Sequence, residues 1–299
     1  MTEDLPPLLA PDEAPAAATV NPGGSADLLL ICDHASRAVP RALGDLGVPR
    51  AEWERHIAFD IGAEAVARAL SARFDAPLVV SGYSRLVVDC NRRPDDPTAM
   101  PETSDGTPIP GNLGLDPAQR LRRLRDLHAP YHAAVAAAIA RFRAAGRVPR
   151  VVSMHSCTPV FKGFERPWHV GVLWKSDPRL PIPLMAALSA IPGVRVGDNQ
   201  PYDARDGHGY TMRTHCETAG IPHALIELRQ DLIDTRAGHL FGPAIEGDMT
   251  VPLGARHAQI AERARHGTAG VIANQKQIGA SARIDGRGRR RLVGRQQRR

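Results

Sequence analysis

Three apolar segments of the sequence carry, at or near their ends, a side chain that can bind a metal ion or transfer a proton. The segments are LLLICDH, which ends at His34, RVVSMH, which ends at His155, and HALIEL, which contains Glu227. Neutral imidazole and carboxylate are ligands of Zn²⁺, and a catalytic zinc site combines three protein ligands with one open position. The pattern therefore predicts a metal site at the ends of buried strands. The alternative that each histidine is an ordinary core residue stays open.

A fourth segment, RLVVDCNRR, gathers charged and amide side chains over a few positions: Arg85, Asp89, Asn91, Arg92 and Arg93. A guanidinium group is planar and always charged, so it can hold a carboxylate through two parallel hydrogen bonds. If these groups line a cleft, they predict an anionic substrate. The alternative is a cluster of surface salt bridges with the neighbouring acidic residues.

The elements that must position these residues can be read from hydrophobic periodicity. Residues 51–74 repeat apolar side chains at helical spacing, which predicts an amphipathic helix after the first strand. The segments PLVVSG and RLVVDC indicate two short β-branched runs, and residues 95–117 are rich in proline, which predicts a long loop. Asp116 and Pro117 then begin a second helix, which we expect to bend or break at Pro130.

Strands that alternate with helices indicate an α/β protein. We predict a single three-layer domain over residues 26–270, with a mixed, largely parallel central sheet flanked by helices. Residues 1–25 are rich in proline, alanine and glycine, which predicts a disordered or loose N-terminal arm. Residues 271–299 have little apolar content, which predicts a basic, disordered tail.

The positive charge of the chain is concentrated at its C-terminal end. The net charge of the chain is +6, but residues 283–299 contain eight arginines and one aspartate. The remaining residues are therefore close to neutral. This distribution favours a solvated basic extension over a nucleic-acid-binding protein, because blocks of like charge are usually unstructured.

The cysteines and the hydropathy of the chain bear on its compartment. The four cysteines lie far apart without a CxxC pair, and no secretory leader is recognisable. This usage predicts reduced thiols in a cytoplasmic protein. No apolar stretch reaches the roughly 18 to 20 residues that cross a bilayer, so we expect no membrane association through a spanning helix.

Six blocks of the sequence, in order, resemble the N-formylglutamate amidohydrolase family. They are ICDHASRAVP, HIAFDIGA, SRLVVDCNR, HSCTP, GHGYTMRTH and ALIELRQDLI, and the resemblance covers about residues 28–247. The family is similar in fold to zinc carboxypeptidases and aspartoacylases. In those enzymes the site contains, in chain order, a histidine with a nearby carboxylate, an arginine, an Asn-Arg pair, a second histidine and a late catalytic glutamate. His34, Arg85, Asn91-Arg92, His155 and Glu227 follow that order here.

The sequence departs from this pattern at one position. Where a carboxypeptidase-type HxxE motif has its glutamate, three residues after His34, this chain has Arg37. A cation cannot bind zinc, so the third ligand must come from elsewhere. Asp60 is our candidate, with His56 four residues earlier on the same face of the predicted helix. Asp33 is a further possibility, although its side chain should point away from that of His34 in a continuing strand.

The resemblance implies an activity and a role for each residue. It implies one Zn²⁺ ion bound by His34, Asp60 and His155, with Glu227 as the general base that activates water. Arg92, with Arg85 or Arg213 and with Asn91 beside them, would hold the carboxylates of the substrate. The substrate implied is a small molecule, an N-acyl acidic amino acid such as N-formyl-L-glutamate.

Two other functions remain open at this point. Cys157 lies two residues after His155 and Cys90 lies beside Asn91, so a cysteine amidase can be considered, although neither thiol has an obvious base. Arg37 at the HxxE position also leaves open a metal-free protein that binds an anion or a partner. We interpret a second histidine pair, at positions 128 and 132, as core or surface residues.

Overall fold

Short apolar strands alternate with helices along the chain in the computed structural model. The structure describes residues 6–207 and 209–233. The strands are β1 (Ala17–Val20), β2 (Leu28–Cys32), β3 (Leu78–Ser81), β4 (Thr103–Ser104), β5 (Thr107–Pro108), β6 (Arg150–Cys157), β7 (Val160–Phe161), β8 (Phe164–Glu165), β9 (Val170–Leu173), β10 (Val196–Asp198) and β11 (His223–Arg229). The α-helices are α1 (Ala63–Phe74), α2 (Pro117–Arg123), α3 (Ala129–Ala144), α4 (Pro181–Ser189) and α5 (Tyr210–Met212).

Seven of these strands form one sheet in the order β1-β3-β2-β6-β11-β9-β10. Strands β3, β2, β6 and β11 are parallel to one another, and β9 is parallel to β10. Strand β1 is antiparallel to β3, and β9 is antiparallel to β11. This confirms the predicted mixed, largely parallel sheet.

Both faces of the sheet are covered, as continuous apolar runs predict. Leu29 and Ile31 of β2 pack on one face in a cluster with residues of α3. Leu30 and Cys32 point to the opposite face and pack in a cluster with residues of α1 and α4. Helices on two sides of one sheet confirm the three-layer α/β arrangement.

Helix α1 is shorter than predicted and does not include Asp60. Residues 50–54 form a 3₁₀ turn, and α1 starts only at Ala63. Gly62 before it has φ +79°, a left-handed conformation that glycine adopts without strain, and its Cα lies against Ile233. Asp60 therefore lies in a loop and not on a helix. Its backbone N–H donates to the carbonyl of His34 at 3.0 Å, which ties this loop to the end of β2.

The prediction of a loose N-terminal arm is wrong for residues 6–25. Strand β1 pairs with β3 over four residues and forms an edge of the sheet. Leu8 is buried, and its backbone N–H donates to Asp126 at 2.6 Å. These contacts come from distant segments, which local composition does not reveal. The predicted domain end at residue 270 and the basic tail at 271–299 lie outside the described residues.

The apolar run RLVVDC is not a strand. Residues 84–90 form turns, in which the Ser84 hydroxyl donates to the carbonyl of Ala58 at 2.6 Å. Val87 and Val88 are nonetheless buried in a third apolar cluster. A short apolar run fits a buried turn as well as a strand, and periodicity does not separate the two.

The helix predicted from Asp116 runs through Pro130 with one irregular turn. Its N-terminus has the expected capping box between Asp116 and Gln119. A π-helical turn over Leu124–His128 separates α2 from α3, and α3 has Pro130 in its first turn. The wide turn accommodates a residue that lacks an N–H group. Among the described residues no helix is long and apolar enough to cross a membrane.

Candidate active site

Three adjacent parallel strands bring the predicted catalytic side chains to one edge of the sheet. His34 follows β2, His155 lies in β6 and Glu227 lies in β11. Glu227 is the direct register partner of His155 in the β6–β11 pair. Ligands of open α/β sheets bind beyond the carboxyl ends of the strands, which is where these groups converge.

A cleft with a volume of about 260 Å³ opens at this edge. Seven of the eight predicted site residues line it: His34, Asp60, Arg85, Asn91, Arg92, His155 and Glu227. Aromatic and apolar side chains, including Phe161, Leu173 and Tyr202, complete its walls. The cleft therefore combines a buried ionisable floor with a mixed polar and aromatic wall.

His34, Asp60 and His155 form a compact group that we call the ligand cluster. Each contributes one potential ligand atom, and these atoms lie within 4.8 Å of one another. The Oδ2 atom of Asp60 is 3.2 Å from Nδ1 of His34 and 2.8 Å from Nδ1 of His155. All three residues are buried. Two imidazoles and one carboxylate are a donor set that suits Zn²⁺.

A second carboxylate lies behind each histidine of the ligand cluster. Asp89 Oδ1 is 2.7 Å from Nε2 of His34, and Asp33 Oδ2 is 3.0 Å from Nε2 of His155. When Nε2–H of a neutral imidazole donates to a carboxylate, Nδ1 carries a lone pair. Metal-binding histidines are oriented by such carboxylates. The arrangement therefore fits a metal ion held by the two Nδ1 atoms and Asp60.

The electrostatics of the cluster favour a bound cation. Burial would lower the pKa of His155, but Asp33 and Asp60 raise it well above its ordinary value. Burial also opposes the charge of His34, whose pKa is nevertheless raised by Asp89 and Asp60. Burial would raise the carboxyl pKa values, yet the neighbouring imidazoles hold them below the ordinary range. Positive charge is thus stabilised here although the side chains are buried.

Arg37 does not interfere with this cluster. Its side chain is 48% exposed, forms an ion pair with Glu54 and lies 5.5 Å from the ring centroid of Phe59. Asp60 supplies a carboxylate to the two histidines from a different loop. His56 lines the cleft but is directed to Asp105, 3.7 Å away, and lies outside the ligand cluster.

Glu227 has the surroundings of a group that exchanges protons. It is 7% exposed, and its buried Oε2 atom has no hydrogen-bond partner among the described residues. Burial raises its pKa to about 7, although the positive charge of nearby His155 lowers it in part. A general base works best with a pKa near the working pH. The free oxygen atom leaves a position for a water molecule or substrate.

The arginines of RLVVDCNRR, which we call the arginine segment, have different surroundings. Arg85 donates to Asp60 at 3.2 Å and to Asp89 at 2.9 Å. Arg92 lines the cleft, and within residues 6–207 and 209–233 its guanidinium has no hydrogen-bond acceptor. Arg93 forms an exposed ion pair with Asp95. The surface salt-bridge interpretation therefore applies to Arg93, whereas Arg92 is available to an anion.

Arg213 is the predicted site residue that the structure does not place at the cleft. It begins a π-helical turn over Arg213–Glu217, and its guanidinium lies 5.8 Å from the ring centroid of Tyr210. It is absent from the cleft lining. The turn directs its side chain to this ring, so its expected role as a carboxylate clamp is not supported.

The order and spacing of these groups agree with comparisons to known proteins. The sequence model of the N-formylglutamate amidohydrolase family matches residues 26–234, which include the ligand cluster, the arginine segment and Glu227. The chain belongs to this family. Family membership and the site together make it a hydrolase of amide bonds.

Solved structures show the same fold. A gene product of Agrobacterium tumefaciens has 40% sequence identity and a TM-score of 0.75, and the match covers 80% of this chain and 95% of that one. An N-formylglutamate amidohydrolase from Ralstonia eutropha has 20% identity and a TM-score of 0.57, covering 84% of this chain and all of that one. None of the curated proteins matches this member of the family in sequence.

Sequence reasoning missed the residues that support the ligands of this amidohydrolase. Asp33, a possible ligand by sequence, accepts hydrogen bonds from Tyr131 at 2.9 Å, Ser153 at 2.7 Å and Thr211. The sequence places Asp89 among the arginines and does not reveal its contact with His34. Its position directly after a buried apolar run, like that of Asp33, was the available signal.

The thiols of this amidohydrolase are poor nucleophiles. Burial raises the pKa of Cys157 to about 12, although Cys157 lines the cleft. Burial also raises the pKa of Cys90 well above its ordinary value. The thiolate is the reactive form, so these environments argue against a cysteine amidase.

Proposed function

We propose that this amidohydrolase uses one divalent ion, Zn²⁺, to cleave the amide bond of an N-acyl acidic amino acid such as N-formyl-L-glutamate. The observation that carries the proposal is the ligand cluster in one cleft with a Glu227 oxygen that has no hydrogen-bond partner in the described part of the chain. The family match supports amide hydrolysis. The name of the Ralstonia eutropha protein of similar fold agrees with the substrate.

His34, Asp60 and His155 would hold the ion. When bound, it would supply a Lewis acid that polarises the amide carbonyl and lowers the pKa of water. Asp33 contacts Nε2 of His155 and Asp89 contacts Nε2 of His34, which would leave both Nδ1 atoms available as ligands. Loss of either carboxylate would remove the charged acceptor at Nε2 of that ring.

Glu227 performs the proton transfers. Its carboxylate takes a proton from the attacking water as the oxygen bonds to the acyl carbon. The acid form then gives that proton to the leaving nitrogen as the carbon–nitrogen bond breaks. The products are a free carboxylic acid, formate for an N-formyl substrate, and the amino acid. A pKa of about 7 suits both steps at neutral pH.

The arginine segment provides selectivity for acidic substrates. Arg92 has no acceptor in the described part of the chain and would bind a substrate carboxylate. Asn91 lies beside it at the cleft, and its Oδ1 accepts from the backbone of Thr211 at 3.0 Å, which leaves its amide N–H₂ as a donor. Arg85 adds positive charge but is already bonded to Asp60 and Asp89.

Metal content and substrate preference test the proposal together. Purified protein should contain about one zinc ion per chain and should hydrolyse N-formyl-L-glutamate. A chelator should abolish the rate, and added Zn²⁺ should restore it. N-formyl-L-glutamine is the matched control because it differs only in the charge of the side chain, and its specificity constant should be lower.

The outcomes separate the two parts of the proposal. Full activity in a protein without metal would contradict the zinc requirement. Equal specificity constants for the glutamate and glutamine substrates would contradict recognition of the side-chain carboxylate.

A further inference from the structure

Two histidines of the long helix contact the segment that carries the proposed substrate-binding groups. His128 and His132 are four residues apart, so they share one face of the helix. Nε2 of His128 is 3.0 Å from the carbonyl oxygen of Arg92, and Nε2 of His132 is 2.9 Å from that of Cys90. The two carbonyl groups flank Asn91. The two histidines therefore bind the backbone on both sides of Asn91.

The protonation of these rings follows from their partners. A carbonyl oxygen only accepts hydrogen bonds, so Nε2 of His128 and Nε2 of His132 must each carry a proton. Nδ1 of His132 is 2.9 Å from Nε2 of His215. In neutral His132 this Nδ1 atom is an acceptor, so Nε2–H of His215 donates to it. Burial lowers the pKa of His132 to about 4, which agrees with the neutral form.

The three rings form a packed group that we call the histidine trio, made of His128, His132 and His215. The rings of His132 and His215 are stacked with centroids 5.2 Å apart, and those of His128 and His132 are 4.4 Å apart. The ring of Tyr210 meets His132 edge-on at 5.3 Å. Packing on two sides and a hydrogen bond at Nδ1 together fix the direction in which His132 donates.

The segment held by the trio connects both parts of the proposed site. Asp89 Oδ1 accepts from the backbone N–H of Asn91 at 2.8 Å and also contacts His34. Cys90 O has a second, longer contact at 3.4 Å from the hydroxyl of Thr211. A shift of the carbonyl groups would therefore move Asn91 and Arg92 relative to the ligand cluster.

We infer that His128 and His132 are positioning residues that fix the direction of Asn91 and Arg92 in the cleft. This role rests on the proposed function, because it assigns Asn91 and Arg92 to substrate binding. The trio contains no carboxylate, and four of its six ring nitrogens already have protein partners. Positioning therefore accounts for its contacts better than a second metal site does.

The zinc-loaded His132→Leu and His132→Gln variants test this role. Leucine fills similar space without a donor, whereas the glutamine N–H₂ group can donate from near the Nε2 position. His132→Leu should raise KM for N-formyl-L-glutamate about tenfold, with kcat within about twofold and zinc content unchanged. His132→Gln should restore most of the lost KM. His128→Leu and His128→Gln should follow the same pattern.

A second measurement requires no substrate. Hydrogen exchange of the peptide that contains residues 89–92 should be faster in His132→Leu and near the parental rate in His132→Gln. Parental exchange in His132→Leu, or equal impairment of both variants, would overturn the proposal. Faster exchange with an unchanged KM would also overturn it. If the parent hydrolyses no N-acyl amino acid, the proposed function fails, whereas the exchange of the two variants still decides whether the imidazole holds the segment.

Discussion

Two groups of buried or half-buried histidines lie near one another in this amidohydrolase and have opposite electrostatics. In the ligand cluster, Asp60 lies against His34 and His155, and the pKa values of the two histidines are raised. In the histidine trio no carboxylate of the described residues is within hydrogen-bond distance, and burial lowers the pKa of each ring. The residue type is the same in both groups, but the partners differ.

The comparison shows that the neighbouring groups decide what a histidine can do. Carboxylates on both sides of an imidazole stabilise positive charge, which suits a site for a divalent cation. In the trio, burial instead keeps the rings of His128 and His132 neutral, so each acts as an N–H donor directed at a carbonyl oxygen. The two groups can therefore be separated by substitution, because only one of them should affect the metal.

The largest expected effect is that of His155→Ala. It removes one of the three proposed ligands, so both bound zinc and hydrolysis should be lost. Elemental analysis of the purified variant measures the first and an amide hydrolysis assay the second. His132→Leu is the matched control from the trio and should retain full zinc. Full zinc stoichiometry in His155→Ala would contradict its role as a ligand.

Glu227→Gln should separate chemistry from metal binding. We expect the rate of hydrolysis to fall by about 10²- to 10⁴-fold, because the general base is removed, while zinc content is unchanged. Glu165→Gln, at an exposed position in β8, is the control and should have the parental rate. A nearly normal rate in Glu227→Gln would rule out the role as base.

Burial disfavours the charged form of Glu227, as it does the charged form of the trio. The free energy of unfolding of the metal-free protein should therefore depend on pH. A folded-state pKa of about 7 against an unfolded value of 4.5 means that the unfolded chain loses this proton first as pH rises. Stability from the protonated form is present below pH 4.5 and is lost up to about pH 7. After chelation, Glu227→Gln should thus exceed the parent in unfolding free energy by about 3 kcal/mol at pH 8 and by less than about 1 kcal/mol at pH 5. Denaturant unfolding at the two pH values measures this difference, and a gap that is independent of pH would contradict it.

Asp89→Asn tests whether the carboxylate behind His34 matters to the ligand cluster. An amide cannot stabilise the imidazole as a carboxylate does, so zinc affinity should fall about 10- to 100-fold. Asp95→Asn is the control, because Asp95 is exposed and pairs with Arg93. Competition with a chromogenic chelator measures the zinc affinity of both variants. Equal affinities would contradict a role for Asp89 in metal binding.

The smallest effect is expected for Arg92→Ala, which acts on the side of the site that the trio holds. KM for N-formyl-L-glutamate should rise about tenfold, since Arg92 is only half-buried and water weakens its ion pair. Zinc content and kcat should change little. Arg93→Ala, one residue further and at the surface, is the matched control. An unchanged specificity constant in Arg92→Ala would exclude the clamp.

The sequence alone was sufficient for the architecture, and seven of the eight predicted site residues lie at the cleft. Continuous apolar runs such as LLLIC and HALIEL are required of strands covered on both faces, and β2 and β11 confirm them. Their ends place His34, His155 and Glu227 at one edge of the sheet for any parallel arrangement of these strands. Residue type then limits the chemistry, because imidazole and carboxylate are the groups that bind metals and transfer protons.

Only the tertiary structure decided which partner each of these groups has. Asp60 approaches two strand ends from a loop that sequence periodicity assigned to a helix, and β1 gains its order from pairing with β3. The same holds for the histidines, whose spacing of four residues on a helix resembles a metal motif until Cys90 and Arg92 are seen opposite them. Charge and hydrogen bonding depend on contacts within a few ångströms, and residues distant in the chain supply those contacts.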